Sequence, residues 1–291
     1  MTAGIWKWTG KVQQRGRAMT EAASVRVLRP VGLAWRHREL LREMTRREIV
    51  RRYRGSALGA IWLVLAPLLM LAVYAFVFGV VFQVRWGGVG DSKAMFAAVL
   101  FCGVSVFSLF ADVLNRSPVL ILENVNYVKK VVFPLEILSY VAVLAACLHF
   151  AFSLVVLLVF VGVSMGVPPL SVVALPLVLL PFLLVLVGLS WLVAALGVFL
   201  RDVAQVTGFI TTAMMFLSPV FYPITAVPES YRHLLWLNPM THVVEMFRGI
   251  LIFGRWPAWQ ELLLWWLVAA GALLIGHAVF RRLRSGFADV L

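Results

Sequence analysis

The 291-residue chain is 62% hydrophobic and 13% charged with a mean hydropathy of +0.95, about half the charged fraction of a soluble domain, and reads as a polytopic membrane protein. Its net charge of +13 would suit a nucleic-acid binder, but 14 of the 26 Lys and Arg fall in residues 1–54 beside no recognition module, so nucleic acid is not expected as a partner. A basic flank ahead of an apolar run is instead the pattern of a cytoplasmic terminus facing anionic membrane lipid.

Residues 1–32 read as a flexible basic cytoplasmic tail, punctuated at its end by Pro30 and Gly32 and without the apolar core of a cleavable signal peptide. Residues 33–54 follow as an amphipathic interface helix. Leu33, Leu40, Leu41, Met44, Ile49, Val50 and Tyr53 approximate one face, and arginines fill the rest. The first span, 58–82, is 25 uncharged residues, about 37 Å of helix against a hydrocarbon layer of about 30 Å. Gly55 and Gly59 at its start either permit close helix approach or relieve a bend.

A Gly-rich turn over 83–93 leads to a second span, 94–114. The polar stretch 115–136 carries Arg116, Lys129 and Lys130 and leaves the membrane. The third span is 137–163 and the fourth 172–200, broken by Pro176 and Pro181 and ending at Arg201-Asp202. A fifth span is 203–221. Residues 222–260 hold two apolar pieces, 231–237 and 241–253, each too short to cross, which suits re-entrant half-helices turning at Asn238-Pro239. The sixth span, 261–280, is closed by Arg281, Arg282 and Arg284, and 285–291 is a cytoplasmic end. The fold class is therefore all-α integral membrane, with six transmembrane helices in a domain of residues 55–284. Lys and Arg concentrate on the loops of one side, which places both termini in the cytoplasm.

The chemistry is sparse. Cys102 and Cys147 lie in apolar runs without metal-site spacing and read as packing residues, so neither a disulfide nor a metal site is expected. The chain has no G-x-x-x-x-G-K-[ST] loop and no soluble stretch able to hold a nucleotide domain. If ATP drives it, ATP and Mg are bound by another chain, and this chain has no cofactor of its own. Asp112, Glu136 and His149 are the ionisable groups near or within the second and third spans. They form no mid-membrane carboxylate relay, which argues against an ion-coupled carrier. His149 reads as a hydrogen-bonded structural residue. No Ser/His/Asp constellation suggests an enzyme.

Five stretches together resemble one family. TRREIVRRYRGSALGAIWLVLAPLLMLAVYAFVFGVVF (45–82), ENVNYVKKVVFPLEIL (123–138), RDVAQV (201–206), FLSPVFYPITAVPESYRHLLWLNPMTHVVEMFRGILI (216–252) and the ending RRLRSGFADVL are similar to polysaccharide-exporting permeases of type-2 ABC transporters, the Wzm and teichoic-acid exporter group. The resemblance spans from about residue 38 to the end and omits the tail. It implies a transport permease of the bacterial inner membrane that pairs with a second copy of itself and with two ABC ATPase subunits. It also implies a cargo, a polyprenyl-diphosphate-linked glycan with O antigen foremost and capsule or teichoic acid as alternatives. An exporter of drugs or small amphiphiles shares the architecture; a non-transporting membrane scaffold or enzyme is the rival of another class.

Under this resemblance, Met70, Tyr74, Phe78 and Phe82, four apart on the first span, and Phe209, Thr212 and Phe216 on the fifth are candidates for a glycan channel. A polymer slides best over weak, repeated aromatic and hydroxyl sites. Helix packing or a lipid-facing aromatic belt is the plain alternative. Arg47, Arg51, Arg52 and Arg54 are candidates for the lipid diphosphate, since guanidinium forks match phosphate oxygens; general attraction to anionic lipid is their plain alternative. Glu123, Lys129 and Lys130 within 123–133, with Arg201 and Asp202, are expected at the ATPase contact. An outer gate over 222–260 is expected to turn at Asn238 and Pro239 and to carry a Glu245–Arg248 pair.

Overall fold

The structure is a computed structural model that describes residues 32–77, 93–129 and 133–291. All regular structure among these residues is helical. Helix α1 (Arg38–Tyr53) bends into a 3-10 turn at Gly59–Ile61 and then α2 (Trp62–Phe76). Helix α3 (Lys93–Arg116) is followed by 3-10 turns at Ser117–Val119 and Leu122–Asn124 and by the single turn α4 (Val125–Val128). Next come α5 (Ile137–Ser164), α6 (Leu175–Phe199) and α7 (Val203–Leu217). The short helices α8 (Glu229–Leu237) and α9 (Pro239–Leu251) precede α10 (Trp259–Arg284) and α11 (Phe287–Val290).

Five stretches among the described residues are long and apolar enough to cross a membrane: Gly59–Phe76, Lys93–Val119, Ile137–Ser164, Leu170–Phe199 and Trp259–Arg284. The remaining expected crossing, 203–221, is a helix of only 15 residues, about 22 Å long. It stops at Leu217 because Pro219 pushes the preceding Ser218 into extended backbone, with φ −100° and ψ 149°.

The basic segment does not run straight into the first span. The chain turns at Gly55 (φ 89°) and Gly59 (φ 51°), conformations that strain any residue with a Cβ. A Cβ at either position would meet nothing within 4 Å, so the pair serves the bend and not a close helix approach within the chain. The expected break in the fourth span is also absent. Pro176 occupies the first turn of α6, where its missing N–H leaves no bond unmade, and Pro181 is carried within the continuous helix.

Helix α3 is the centre of the molecule. It packs against α2, α5, α6, α7 and α9, and its residues from Phe96 to Gly103 are buried without interruption. The most extensive helix pair is α6 with α10. A Cβ at Gly188 would collide with the carbonyl of Ala272, and one at Gly276 with the carbonyl of Gly188. Where lipid removes the hydrophobic drive between helices, such small residues let backbones approach closely and gain dispersion contact. Gly197 does the same against Pro118, seating the turn after α3 on α6, where the Ser117 hydroxyl donates to Ser190 at 2.9 Å.

Among the described residues most Lys and Arg side chains gather at one end of this bundle, with the end of α3, the start of α5 and the last turn of α10. There Arg284 meets Glu136 at 2.8 Å, and Trp191 donates to the Glu136 carbonyl at 2.9 Å. At the opposite end Ser171 donates to the carbonyl of Ile250 at 2.6 Å, tying the turn before α6 to α9.

Candidate functional site

Helix α1 half-buries Leu41, Met44, Ile49 and Tyr53, packing against α5, and Tyr53 reaches His149 of α5 at 2.8 Å. The expected structural role of His149 as a hydrogen-bonded residue is what the geometry holds. Burial raises the Tyr53 hydroxyl above its ordinary pKa.

Beside that packed face lies a compact charge network. Arg51 meets Glu48 at 3.0 Å and Glu123 at 3.3 Å; Arg116 meets Glu123 at 2.7 Å and Glu48 at 3.0 Å; Arg52 meets Asp112 at 3.4 Å. The hydrogen bond with Glu48 is the main reason the Arg51 pKa lies above its ordinary value. Glu48, Arg51, Arg52, Asp112 and Arg116, with Asn115 and Val119, wall a polar cavity of about 520 Å³. The cavity links to α7 through Asn115, whose Oδ1 accepts from Thr211 at 3.0 Å. Three of the four arginines expected at a lipid diphosphate therefore hold carboxylates, since Arg47 pairs with Glu43 at 3.0 Å as well. Arg54 is exposed and meets no carboxylate among the described residues.

Glu123, expected at an ATPase, lies in this network and joins the 117–129 segment to both α1 and α3. Lys129 is exposed at the end of α4, and Lys130 lies outside the described residues. Arg201 and Asp202 sit exposed in the turn between α6 and α7, without an ion pair among the described residues.

The channel candidates fall on the two least buried helices of the bundle core. Helices α2 and α7 each pack on α3, and each leaves an apolar face uncovered. Met70 is 53% exposed, Phe209 75% and Phe216 64%, whereas Tyr74 is half-buried. Thr212 is exposed, with its hydroxyl donating to the Gly208 carbonyl at 2.9 Å. Phe78 and Phe82 lie outside the described residues.

The gate candidates are held by side-chain hydrogen bonds at the α8–α9 turn and along α9. Asn238 caps α9, its Oδ1 accepting from Met240 N–H at 2.9 Å, and Pro239 follows at the first helical position. The Asn238 amide also donates to Ser218 Oγ at 2.9 Å, fastening the α8–α9 turn to the end of α7. Glu245 and Arg248 pair at 2.9 Å, as their spacing predicts. Sequence reasoning missed how far that arginine reaches. Arg248 is fully buried and donates to the carbonyls of Val99 (3.0 Å), Pro219 (2.6 Å) and Val220 (2.8 Å). Gly103 makes room for it, since a Cβ there would lie 2.6 Å from the guanidinium Nη2. The available signal was an arginine inside an apolar stretch; its partners, carbonyls 28–149 residues away, left none.

Among the described residues no group of three or more His, Cys, Asp or Glu could hold a metal ion, and the two cysteines are free. The assembly combines two uncovered apolar helices, a latched charge network at the basic end and a pinned helical turn at the other. The family model described as ABC-2 type transporter matches residues 39–252. The chain is 30% identical to the O-antigen export system permease protein RfbA of Myxococcus xanthus, over 90% of this chain and 99% of that one. It is 25% identical to the protein of the same name from Klebsiella pneumoniae, over 87% and 95%. It is also 26% identical to the polysialic acid transport protein KpsM of Escherichia coli, over 81% and 90%.

Proposed function

Because the chain belongs to the ABC-2 type transporter family, we propose that it is the membrane subunit of an ATP-driven exporter that moves a lipid-linked polysaccharide across the bacterial inner membrane. The observation that carries this reading is the similarity to the Myxococcus O-antigen export permease, which runs over 99% of that protein's length. Two separate ATPase chains supply ATP hydrolysis, with ATP and Mg bound there. The cargo is a glycan on a polyprenyl diphosphate, with O antigen first.

The physical arrangement supports a paired subunit. The uncovered apolar faces of α2 and α7 flank one helix, α3, and a second copy facing them would enclose a path lined by Met70, Tyr74, Phe209, Thr212 and Phe216. Weak contacts repeated along such a path let a polymer slide without lodging. In this reading α7 is the short fifth of six crossings, α1 lies at the cytoplasmic interface, and both termini are cytoplasmic. Helices α8 and α9 dip from the outer side and form the gate. The exposed Lys129, Arg201 and Asp202 meet the ATPase, and Glu123 passes that contact to α1 and α3 through Arg51 and Arg116. Arg54, the member of its group without a carboxylate, is the residue that takes the lipid phosphate.

The test is ATP hydrolysis by the purified protein, alone and with its ATPase, with and without a polyprenyl-diphosphate glycan. Hydrolysis that needs the partner and changes with the glycan supports the proposal. A partner-dependent rate that ignores glycan but follows small amphiphiles would make it a drug-type exporter. Absence of a stable ATPase partner would return it to a scaffold or enzyme class. The similarity to KpsM favours a capsule-type acidic glycan as the second cargo, and the same assay with that glycan decides between them.

A further inference from the structure

The arginines of α1 fall into two sets that the sequence does not separate. Arg47, Arg51 and Arg52 are neutralised within the chain. Arg38, Arg42 and Arg46 are not. They recur at i, i+4 and i+8, over a rise of about 12 Å, and none meets a carboxylate among the described residues. Arg38 lies over the ring of Trp35, 5.6 Å from its centroid.

This second set borders a groove of about 520 Å³ between α1 and α5. Leu41, Ile49, Val50, Leu144 and Leu148 line the groove together with Arg38, Arg42 and Arg46, so an apolar trough lies beside a row of unneutralised guanidinium groups. Each half alone would be ordinary: a bare basic row suits any anion, and a bare apolar trough suits any lipid tail. Their juxtaposition selects a molecule with a negative head and a hydrocarbon body. Guanidinium forks take phosphate oxygens bidentately, and the trough takes a chain.

We propose that this groove is a binding site for one anionic glycerophospholipid of the surrounding bilayer, its phosphate on Arg42 and Arg46 and an acyl chain against Leu144 and Leu148. The bound lipid holds α1 against α5. Charge argues against the chain's own N-terminal segment as occupant, because residues 1–31 carry six Lys or Arg against a single acid, Glu21. The site is distinct from the path between α2 and α7, and it rests on the membrane placement of the chain and not on which cargo is exported.

The test is native mass spectrometry of the full-length protein in detergent, titrated with phosphatidylglycerol or phosphatidylcholine of matched chains. Wild type should retain one phosphatidylglycerol per protomer at about ten-fold lower lipid concentration than phosphatidylcholine. Combined Arg38→Gln, Arg42→Gln and Arg46→Gln should bring the two lipids to within about two-fold. The Arg281→Gln, Arg282→Gln control, which removes two exposed arginines of the same basic end away from the groove, should not. Leu144→Trp, which fills the trough while keeping every charge, should weaken phosphatidylglycerol retention by a similar factor. Equal retention of both lipids by wild type would overturn the proposal, as would an equal loss in the control, which means diffuse attraction. Displacement of phosphatidylglycerol one-for-one by undecaprenyl diphosphate would reassign the groove to cargo and overturn it too.

Discussion

Arg248 shows how one side chain organises the bundle. Its guanidinium satisfies carbonyls on α3 and on the turn after α7, while its ion pair with Glu245 stays on α9. Leaving a buried acceptor without a donor costs about 1–3 kcal/mol, and breaking a buried pair costs about 3–5 kcal/mol. Arg248→Met should therefore lower stability by about 3 kcal/mol or more, read as a drop in the thermal midpoint of the detergent-solubilised protein. Arg248→Lys should recover only part, because an ammonium presents three donors on a point charge and not a planar fork. Gly103→Val makes the complementary case. It leaves every charge in place but sets side-chain atoms where the guanidinium lies, and should destabilise α3 against α9 to a comparable degree. A stable Gly103→Val protein with unchanged melting would show that Arg248 has room to relocate.

Among the elements, the ends of helices and their crossings decide most. Asn238 both caps α9 and holds the α8–α9 turn to Ser218, so Asn238→Ala removes a cap worth about 1 kcal/mol together with the tether. Faster amide exchange confined to α8 and the first turn of α9 is the expected outcome; no change there would mean that packing alone sets the turn. The α6–α10 crossing depends on contact without side chains at Gly188 and Gly276. Gly276→Leu should force the helices apart and reduce the yield of folded, monodisperse protein. By contrast, the Arg52–Asp112 pair is half-exposed, and a double-mutant cycle should return less than about 1 kcal/mol of coupling.

For the molecule as a whole, the question is what covers α2 and α7. A bundle that buries most of α3 yet leaves Met70, Phe209 and Phe216 outward has uncovered apolar surface on the helices packed beside it. If a second copy faces that surface, single cysteines at Phe209 or Phe216, in a background lacking Cys102 and Cys147, should form disulfide-linked dimers in membranes. Cysteine at Val163, on the exposed end of α5, should not. Crosslinking at Val163 alone would place the interface elsewhere. Deletion of 222–260 should abolish glycan export and leave insertion intact, and normal export by that deletion would sink the gate assignment.

From the sequence came the helical class, the five long apolar helices among its six expected crossings, the break near 115–136 and the Asn238-Pro239 turn. Each follows from hydropathy, the cost of charge in hydrocarbon or local backbone chemistry, and these act over neighbouring residues. It also carried the family resemblance, because the five stretches lie in order along the chain. Tertiary structure decided which arginines of α1 are free, since Arg51 and Arg52 are neutralised by Glu123 and Asp112, 72 and 60 residues away. It likewise decided that Gly55 and Gly59 make a bend while Gly188 and Gly276 make a crossing, and that Arg248 bonds to carbonyls on other elements. The physical reason is the same in each case. A charge, a glycine or a buried donor takes its meaning from whatever the fold brings within about 3 Å of it, and spacing along the chain does not carry that distance.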